Sequence, residues 1–157
     1  MDDIDLRLIQ ELQKNGRETN ADLGRRLNLS EGAIRKRINH LLNRGTMKIL
    51  AVPNMRALGY SFTCIVGFEV RLPDLKSVTD TLAKNEHVCY LAWVTGRFSL
   101  MAVVVARSPE DYSQFLERDV SAIPSILRTE TFVNLDIFKG EVGSLDYSQL
   151  IDKSNLS

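Results

Sequence analysis

The sequence has few of the residues that mark a disulfide scaffold or a metal centre. Only 2 cysteines, Cys64 and Cys89, occur among its 157 residues, and neither is part of a CxxC pair. A secreted disulfide framework needs more cysteines, and a structural zinc site needs about four ligands. The two histidines, His40 and His87, lie far from the cysteines along the chain. We therefore predict no metal site, with both cysteines as ordinary strand residues in a reducing compartment.

Long hydrophobic runs and catalytic motifs are missing as well. No apolar run approaches the ~18 residues of a membrane span, and the acidic N-terminus is unlike a signal or transit peptide. These absences predict a cytoplasmic protein with no membrane partner. The motifs GxGxxG, GxxxxGK(S/T), HExxH and GxSxG are also absent. Because no nucleophile has an assignable base, we predict that the chain is not an enzyme and holds no cofactor.

The chain has no net charge, since 20 Lys and Arg balance 20 Asp and Glu, but the charge is unevenly distributed. Residues 1–52 carry ten bases and seven acids, whereas the remainder carries ten bases and thirteen acids. Between Arg25 and Arg44 there are six bases and a single acid, Glu31. Such a concentration of cations favours contact with a polyanion, although a solvated helix face would carry the same charges.

The first half has the apolar periodicity of three short helices. Capping residues and helix-ending residues bound each of them. The third helix has one clear apolar stripe at helical spacing, formed by Ile34, Ile38, Leu41 and Leu42. The expected boundaries are, in chain order, Asp2 or Asp3 to Gly16, Thr19 or Asn20 to Asn28, and Ser30 to Gly45.

The outer face of the third helix suits the major groove of DNA. At ~100° per residue, cations, amides and a small residue fall opposite the apolar stripe, and such groups can contact base edges. Two helices joined by a short turn, the second with such a face, indicate a helix-turn-helix, although an ordinary three-helix bundle is the alternative. Arg35 and Lys36 are the leading base contacts, and Arg37, nearer the stripe, has a possible structural role. The other candidates are Ser30, Gly32, Asn39 and His40 near the groove, and Arg25, Arg26, Arg44 and Lys48 at phosphates.

The remaining segments predict a second domain. Residues 47–52 are β-prone and would close a winged helix-turn-helix domain over 1–52, followed by a linker over 53–61. Strands are expected over 62–72, 87–95, 100–106 and 126–138, and helices begin at Pro73-Asp74 and at Ser108-Pro109. The order βαββαβ over 62–140 predicts a ferredoxin-like sheet, hence an α+β chain with a tail over 141–157 that docks on a neighbour.

Three interpretations concern single features of the second domain. Its first strand is apolar on much of both faces, so the sheet face that the helices leave uncovered predicts a homodimer. Trp93 is expected in the core, and His87 on the surface.

Several segments resemble one family, the Lrp/AsnC or feast/famine transcription regulators. The opening Asp3-x-Asp5-x-x-x-Ile9-x-x-Leu12-x-x-x-Gly16-Arg17 is similar to the start of these proteins. So are Leu23-x-x-Arg26-Leu27-x-Leu29-Ser30 and Arg37-Ile38-x-x-Leu41-x-x-x-Gly45. In the second half, residues 94–99 resemble the family's TG-aromatic-D hairpin, and residues 123–131 resemble the start of its last strand. The resemblance covers about residues 2–140.

The resemblance implies a winged helix-turn-helix regulator of transcription that binds double-stranded DNA. Its dimers would join into octamers, and an amino-acid effector would bind near the hairpin. This chain has Ser99 where the family usually has Asp, Gly32 where Pro is frequent, and Ser125 in place of Gly. The effector candidates are Thr95, Gly96, Arg97, Phe98 and Ser99, with Thr129 and Thr131 nearby.

The hairpin sequence also bears on the kind of effector. A neutral Ser99 cannot balance a buried ammonium, and Arg97 attracts a carboxylate. We therefore expect weak binding of neutral amino acids and better binding of ligands rich in negative charge, unless the hairpin only closes the sheet.

Two other functions remain open. Siroheme decarboxylase subunits resemble the same two-domain plan, which would make the chain a haem-pathway enzyme. Such enzymes use His and Arg near the substrate, whereas His87 is the only histidine of this domain and has no obvious cluster around it. An effector-sensing assembly protein without DNA binding is the other possibility, and the cations from Arg35 to His40 argue against it.

Overall fold

The computed structural model describes residues 1–138, so the predicted tail over 141–157 and the predicted domain end at 140 lie outside the described residues. The described chain divides into two compact units, with the boundary between Ala51 and Val52. We call them unit 1 and unit 2.

Unit 1 consists of three helices around one apolar core. Helix α1 spans Asp3–Lys14, α2 spans Asn20–Leu27 and α3 spans Glu31–Asn43. Their inward stripes supply a single buried cluster, as helical periodicity predicts. The cluster contains Leu8, Leu12, Leu23, Leu27, Ile34 and Leu41.

Side-chain caps begin all three helices. The Asp2 carboxylate accepts from the Asp5 backbone N–H, and the Asp5 carboxylate accepts from the Asp2 N–H, which completes a capping box. Thr19 and Ser30 cap α2 and α3. These three starts were predicted from the sequence.

Two of the predicted helix ends are confirmed and one is displaced. Asn28 at φ 55° and Gly45 at φ 67° end α2 and α3 in left-handed backbone. However, α1 stops before Gly16, because Asn15 is extended and its side-chain carbonyl accepts from the Arg17 N–H.

The predicted wing strand is wrong, since residues 47–52 form no strand. A strand needs a partner for its backbone N–H and C=O groups, and the described residues of unit 1 include no second strand. Ile49, Leu50 and Val52 are consequently exposed.

Unit 2 confirms the predicted βαββαβ order. Strand β1 spans Phe62–Val70, β2 Val88–Trp93, β3 Leu100–Ala106 and β4 Ile126–Val133. Strands β1, β2 and β4 are shorter than predicted from the sequence. A 3₁₀ turn over Leu72–Asp74 leads into α4, Leu75–Leu82, and a π-helical turn over Leu116–Val120 extends α5, Pro109–Phe115.

The four strands pair antiparallel in the order β2-β3-β1-β4. Alternate residues of β1 and β3, such as Val66 and Val104, pack in one core with Val78 and Leu82 of α4 and with Phe115 of α5. Both helices therefore cover the same sheet face. We call the other one the outer face.

The outer face is apolar and partly exposed. Ile65 lies directly opposite Val103 on it, and Val103 lies opposite Tyr90. Tyr90 and Phe132, the latter opposite Ile65, remain almost half exposed. No helix in the described chain packs on this side.

Three single-residue predictions of unit 2 have mixed outcomes. Both cysteines lie in strands as expected, and burial raises the pKa of Cys64 to about 11. Trp93 is exposed rather than in the core, because it ends an edge strand, where its indole N–H donates to Thr79 Oγ1 at 2.7 Å. His87 is mostly covered rather than on the surface, because its ring packs on Phe115.

The turn between α2 and α3 depends on Gly24. A Cβ at this buried position would lie 2.6 Å from the Leu29 carbonyl oxygen. The backbone N–H of Leu29 in turn donates to the Gly24 carbonyl oxygen. Sequence reasoning missed this glycine, since only the folded turn shows the close approach.

We predict that Gly24→Ala lowers the free energy of unfolding by about 1–3 kcal/mol, since the clash is with backbone. Urea unfolding followed by helical circular dichroism measures this. Gly32→Ala is the matched control, because a Cβ there meets nothing within 4 Å and gains up to about 1 kcal/mol of helix propensity. Equal stabilities of the two variants would contradict the prediction.

Candidate nucleic-acid interface and effector site

The outer face of α3 has the composition predicted for it. Arg35, Lys36, Asn39 and His40 are exposed, whereas the opposite stripe is buried in the core. Gly32, near the N-terminal end of the helix, is exposed with open space around it. This face therefore presents cations and amides to solvent.

Arg35 and Lys36 have no ion-pair partner among the described residues, and neither have Arg44 and Lys48. Five of the seven acids of unit 1 pair with other bases, namely Asp2, Asp5, Glu11, Glu18 and Asp22. The unpaired cations are therefore left free to meet an external anion.

Two of the predicted phosphate contacts are engaged within unit 1. Arg26 reaches Glu11 at 2.7 Å and Glu18 at 2.8 Å, which ties α2 to α1 and the turn that follows it. Arg25 pairs with Asp22 one turn earlier on the same helix. Both arginine side chains remain more than half exposed, so a phosphate could still approach them.

Arg37 lies at the border between the outer face and the buried stripe of α3, and it anchors α3 to the start of α1. Its guanidinium lies 2.6 Å from an Asp5 carboxylate oxygen and 2.8 Å from one of Asp2. The hydrogen bond from Arg37, followed by that from the Asp2 N–H, lowers the pKa of Asp5, which is buried. The structural role considered for Arg37 therefore agrees with its contacts.

The remaining candidates of this interface lie at the ends of α3. The Ser30 hydroxyl accepts from the Ala33 N–H at 3.2 Å as the N-cap. Arg44 is the C-cap residue, and Lys48 follows it in an exposed segment. A shallow depression beside α3 is lined by Asp5, Ala33, Lys36, Arg37, Asn39, His40 and Asn43.

The effector candidates of the hairpin lie between β2 and β3. Thr95, Gly96 and Arg97 are exposed. Phe98 folds back onto the outer face, where a Cβ on Gly67 would lie 2.5 Å from its ring. Ser99 holds the base of the hairpin, since its N–H donates to Phe68 O at 2.9 Å.

The structure does not bring Thr129 and Thr131 together with the Phe98 ring. Thr129 lies opposite Phe68 and Thr131 opposite Val66, both of which face the helices. The Thr131 hydroxyl is accordingly 2.6 Å from the Tyr112 hydroxyl, on the helix side of the sheet.

The hairpin instead contacts Glu130, a residue that sequence reasoning missed. Arg97 Nη1 lies 3.1 Å from Glu130 Oε2. Arg97 is therefore balanced by a carboxylate, which removes the reason to expect an anionic ligand. Only the pairing register of β4 with β1 reveals this neighbour, because 33 positions separate the two residues.

The described residues contain no group of three or more His, Cys, Asp or Glu side chains placed to hold a metal ion. Among residues 1–138, no helix has the length and apolar character to cross a bilayer.

A helix-turn-helix with an exposed cationic second helix, joined to a ferredoxin-like sheet unit, defines a class of transcriptional regulators. An AsnC-type helix-turn-helix domain matches residues 1–42, and an Lrp/AsnC ligand binding domain matches residues 63–143. The chain belongs to the Lrp/AsnC family, and it is a helix-turn-helix transcriptional regulator with an effector-binding domain.

Similar proteins agree with this assignment. An uncharacterized HTH-type transcriptional regulator of Pyrococcus furiosus is 28% identical over 140 residues, 88% of this chain and 94% of its own length. The regulator FL11 of Pyrococcus abyssi is 29% identical over the same share of the chain and 92% of its length. The structure of E. coli AsnC has a TM-score of 0.84 at 23% identity, covering 90% of this chain and 96% of that one.

We predict that Arg37→Gln destabilises unit 1 at pH 7, since it removes the charged donor from the Asp5 carboxylate and leaves that carboxylate with only the Asp2 N–H. A carboxyl whose folded pKa is lowered stabilises the fold above its unfolded pKa, near 3.9, and this contribution is lost as pH falls. The variant should therefore lose less stability than the native chain between pH 7 and pH 3, measured by urea unfolding.

The control for this experiment is Lys36→Gln. It removes the same charge from the same helix, but Lys36 has no ion-pair partner among the described residues. It should keep the native pH dependence, and an equal slope for Arg37→Gln would contradict the prediction.

Proposed function

We propose that the chain regulates transcription in the cytoplasm as a homodimer that grips double-stranded DNA with the outer face of α3. The observation that carries this proposal is the pair of exposed cations Arg35 and Lys36, which have no ion-pair partner in the described part of the chain. Together with Asn39, these side chains have the donors and acceptors that recognise guanine and adenine edges.

The other cations of unit 1 suit the DNA backbone. Arg44 and Lys48, at and beyond the end of α3, have no ion-pair partner among residues 1–138. Arg25 and Arg26 are exposed beside the turn that leads into α3, while their carboxylate partners fix their direction. Ser30, Gly32 and His40 lie at the same surface, where Gly32 allows close approach.

The outer face of the sheet supports the dimer. Its Ile65, Val103, Tyr90 and Phe132 form an apolar surface that the described helices leave uncovered. A second copy of this face would bury it and would bring two α3 helices to one DNA site. Assembly of dimers into an octamer is proposed from family membership alone.

We also propose a small-molecule effector near the hairpin, at Thr95, Gly96, Arg97, Phe98 and Ser99. A regulator from Neisseria meningitidis, with a TM-score of 0.84 at 19% identity, covering 91% of this chain and 95% of that one, was solved as a complex with L-Met. An amino-acid-like effector is therefore a reasonable class for this chain. Thr129 and Thr131 would act from the helix side of β4.

The alternative of a haem-pathway enzyme has little support, and we propose that the chain is not an enzyme. His87 is 15% exposed, packs on Phe115 and lies 3.5 Å from Asp111. That imidazole serves the packing of α5 on the sheet, so it is poorly placed to meet a bulky tetrapyrrole.

We predict that replacing Arg35 and Lys36 by Ala together weakens binding to a DNA site selected from a random pool. Each lost base contact should cost about 1–3 kcal/mol, and native binding should weaken steeply as salt is raised. Fluorescence anisotropy measures both effects. Lys84→Ala is the control, since this exposed residue of unit 2 has no ion-pair partner in the described chain. Full affinity of the double variant at moderate salt would overturn the assignment of α3.

We predict that the full chain sediments as a dimer or a larger assembly, and that Val103→Asp weakens this association at least tenfold by placing a charge on the outer face. Analytical ultracentrifugation measures the change. Leu72→Asp is the control, because Leu72 is 77% exposed in a turn outside the sheet. A monomeric native chain, or equal association of both variants, would refute the outer face as the interface.

A further inference from the structure

The hairpin and β4 build a small constellation on the outer face around Gly67. Gly67 lies opposite Glu130 in the pairing of β1 with β4. Because Gly67 has no side chain, the Phe98 ring takes the space that a Cβ would need. The aromatic ring and the carboxylate are thereby gathered at one end of this face, beside the edge strand β4. A site for a free ligand requires that this end lies at the rim of the proposed dimer interface, outside the area that the second copy buries.

Arg97 completes the constellation from the tip of the hairpin. Its guanidinium carbon is 5.4 Å from the centroid of the Phe98 ring, within the range of a cation–π contact. Its Nη1 is 3.1 Å from Glu130 Oε2. The guanidinium group thus has an aromatic face and a carboxylate as its partners.

The fit of Arg97 to Glu130 is incomplete. Glu130 Oε2 is buried and accepts no hydrogen bond, although Arg97 Nη1 is close enough for an ion pair, so the N–H is not aligned with it. A buried acceptor without a donor is costly. The Arg97 side chain is also 53% exposed and keeps much of its contact with water.

We propose that Glu130 and the Phe98 ring form a binding site for an organic cation, an alkylguanidinium or alkylammonium group, and that Arg97 occupies it when no ligand is bound. A free ligand that aims an N–H at Glu130 Oε2 satisfies the acceptor that Arg97 leaves unused. Carboxylates and aromatic faces are the groups that recognise such cations.

Arg97 therefore acts as a competitor that belongs to the chain itself. Because the site is open only when Arg97 has left it, the apparent affinity for a free cation is reduced by the open fraction. The regulatory meaning of the site rests on the proposed function, since only a DNA-binding protein turns a bound effector into a change of transcription. Binding of the cation does not depend on it.

Isothermal titration of the full chain at low ionic strength tests this proposal with agmatine, which carries a guanidinium and an ammonium group. Methylguanidinium serves as a smaller second probe. We expect Arg97→Gln to bind agmatine at least tenfold more tightly than the native chain. Glu130→Gln should abolish binding, both alone and combined with Arg97→Gln.

The matched control is Arg128→Gln. Arg128 is exposed two residues before Glu130 on the same strand and has no ion-pair partner in the described chain. It should bind agmatine as the native chain does, since it removes a nearby charge without opening the site.

Three results would overturn the proposal. The first is that the native chain and Arg97→Gln bind agmatine equally, or that neither binds it. The second is that binding survives Glu130→Gln. The third is that Arg128→Gln gains as much affinity as Arg97→Gln. DNA affinity without agmatine is measured on the same variants. If these variants bind DNA as the native chain does but none of the proteins binds agmatine, only the cation site is rejected. The DNA affinity of the variant with Arg35 and Lys36 replaced tests only the DNA interface.

Discussion

The pairing of acids with bases in unit 1 decides which of its cations remain available for DNA. Of the seven acids in residues 1–52, five pair with bases. Four of these five bind Arg26 or Arg37, which tie α2 and α3 to α1 and its flanking residues. The two others, Asp3 and Glu31, lie in the first turns of α1 and α3, where they complement the helix dipole. Six bases of unit 1 have no ion-pair partner among the described residues, and four of them lie on α3 or after it: Arg35, Lys36, Arg44 and Lys48. The other two, Arg7 and Arg17, lie on and after α1.

The same pairing explains why one helix can be both anchored and available. Arg37 and Lys36 are neighbours in sequence, but their side chains leave α3 about 100° apart. Arg37 fixes the helix to the capping box of α1 through Asp2 and Asp5. Lys36, on the outer face, has no such tether within residues 1–138. Rigid support behind a recognition surface lowers the entropic cost of ordering that surface when it binds.

Local signals in the sequence predicted much of the fold. The caps at Asp2, Thr19 and Ser30, and the left-handed Asn28 and Gly45, depend on neighbours within a few residues. Runs rich in β-branched and apolar residues likewise predicted all four strands. The wing over 47–52 failed because strand propensity alone does not supply a pairing partner, which local sequence cannot show.

The candidate site was predicted less completely, because its contacts are non-local. Arg26 finds Glu11 across 15 positions, and Arg37 finds Asp5 across 32, distances at which periodicity carries no information. The hairpin shows the same limit. From the sequence, Arg97 was expected to be an unpaired cation. The register of β4 instead places Glu130 beside Arg97, and Gly67 lies beneath Phe98.

The two units meet different requirements of one regulator. A single α3 spans only a few base pairs, so selectivity for a site needs two such helices at a fixed separation. In the proposed dimer the outer face of the sheet would set this separation, because it is apolar and the described helices leave it uncovered. The segment after Val52 contributes Met55 and Tyr60 to a cluster with Cys89 and Val105 of the sheet. This cluster fixes the first residues of unit 2 to the sheet. In the proposed regulator, a ligand at the hairpin would act on the same unit that forms the proposed dimer.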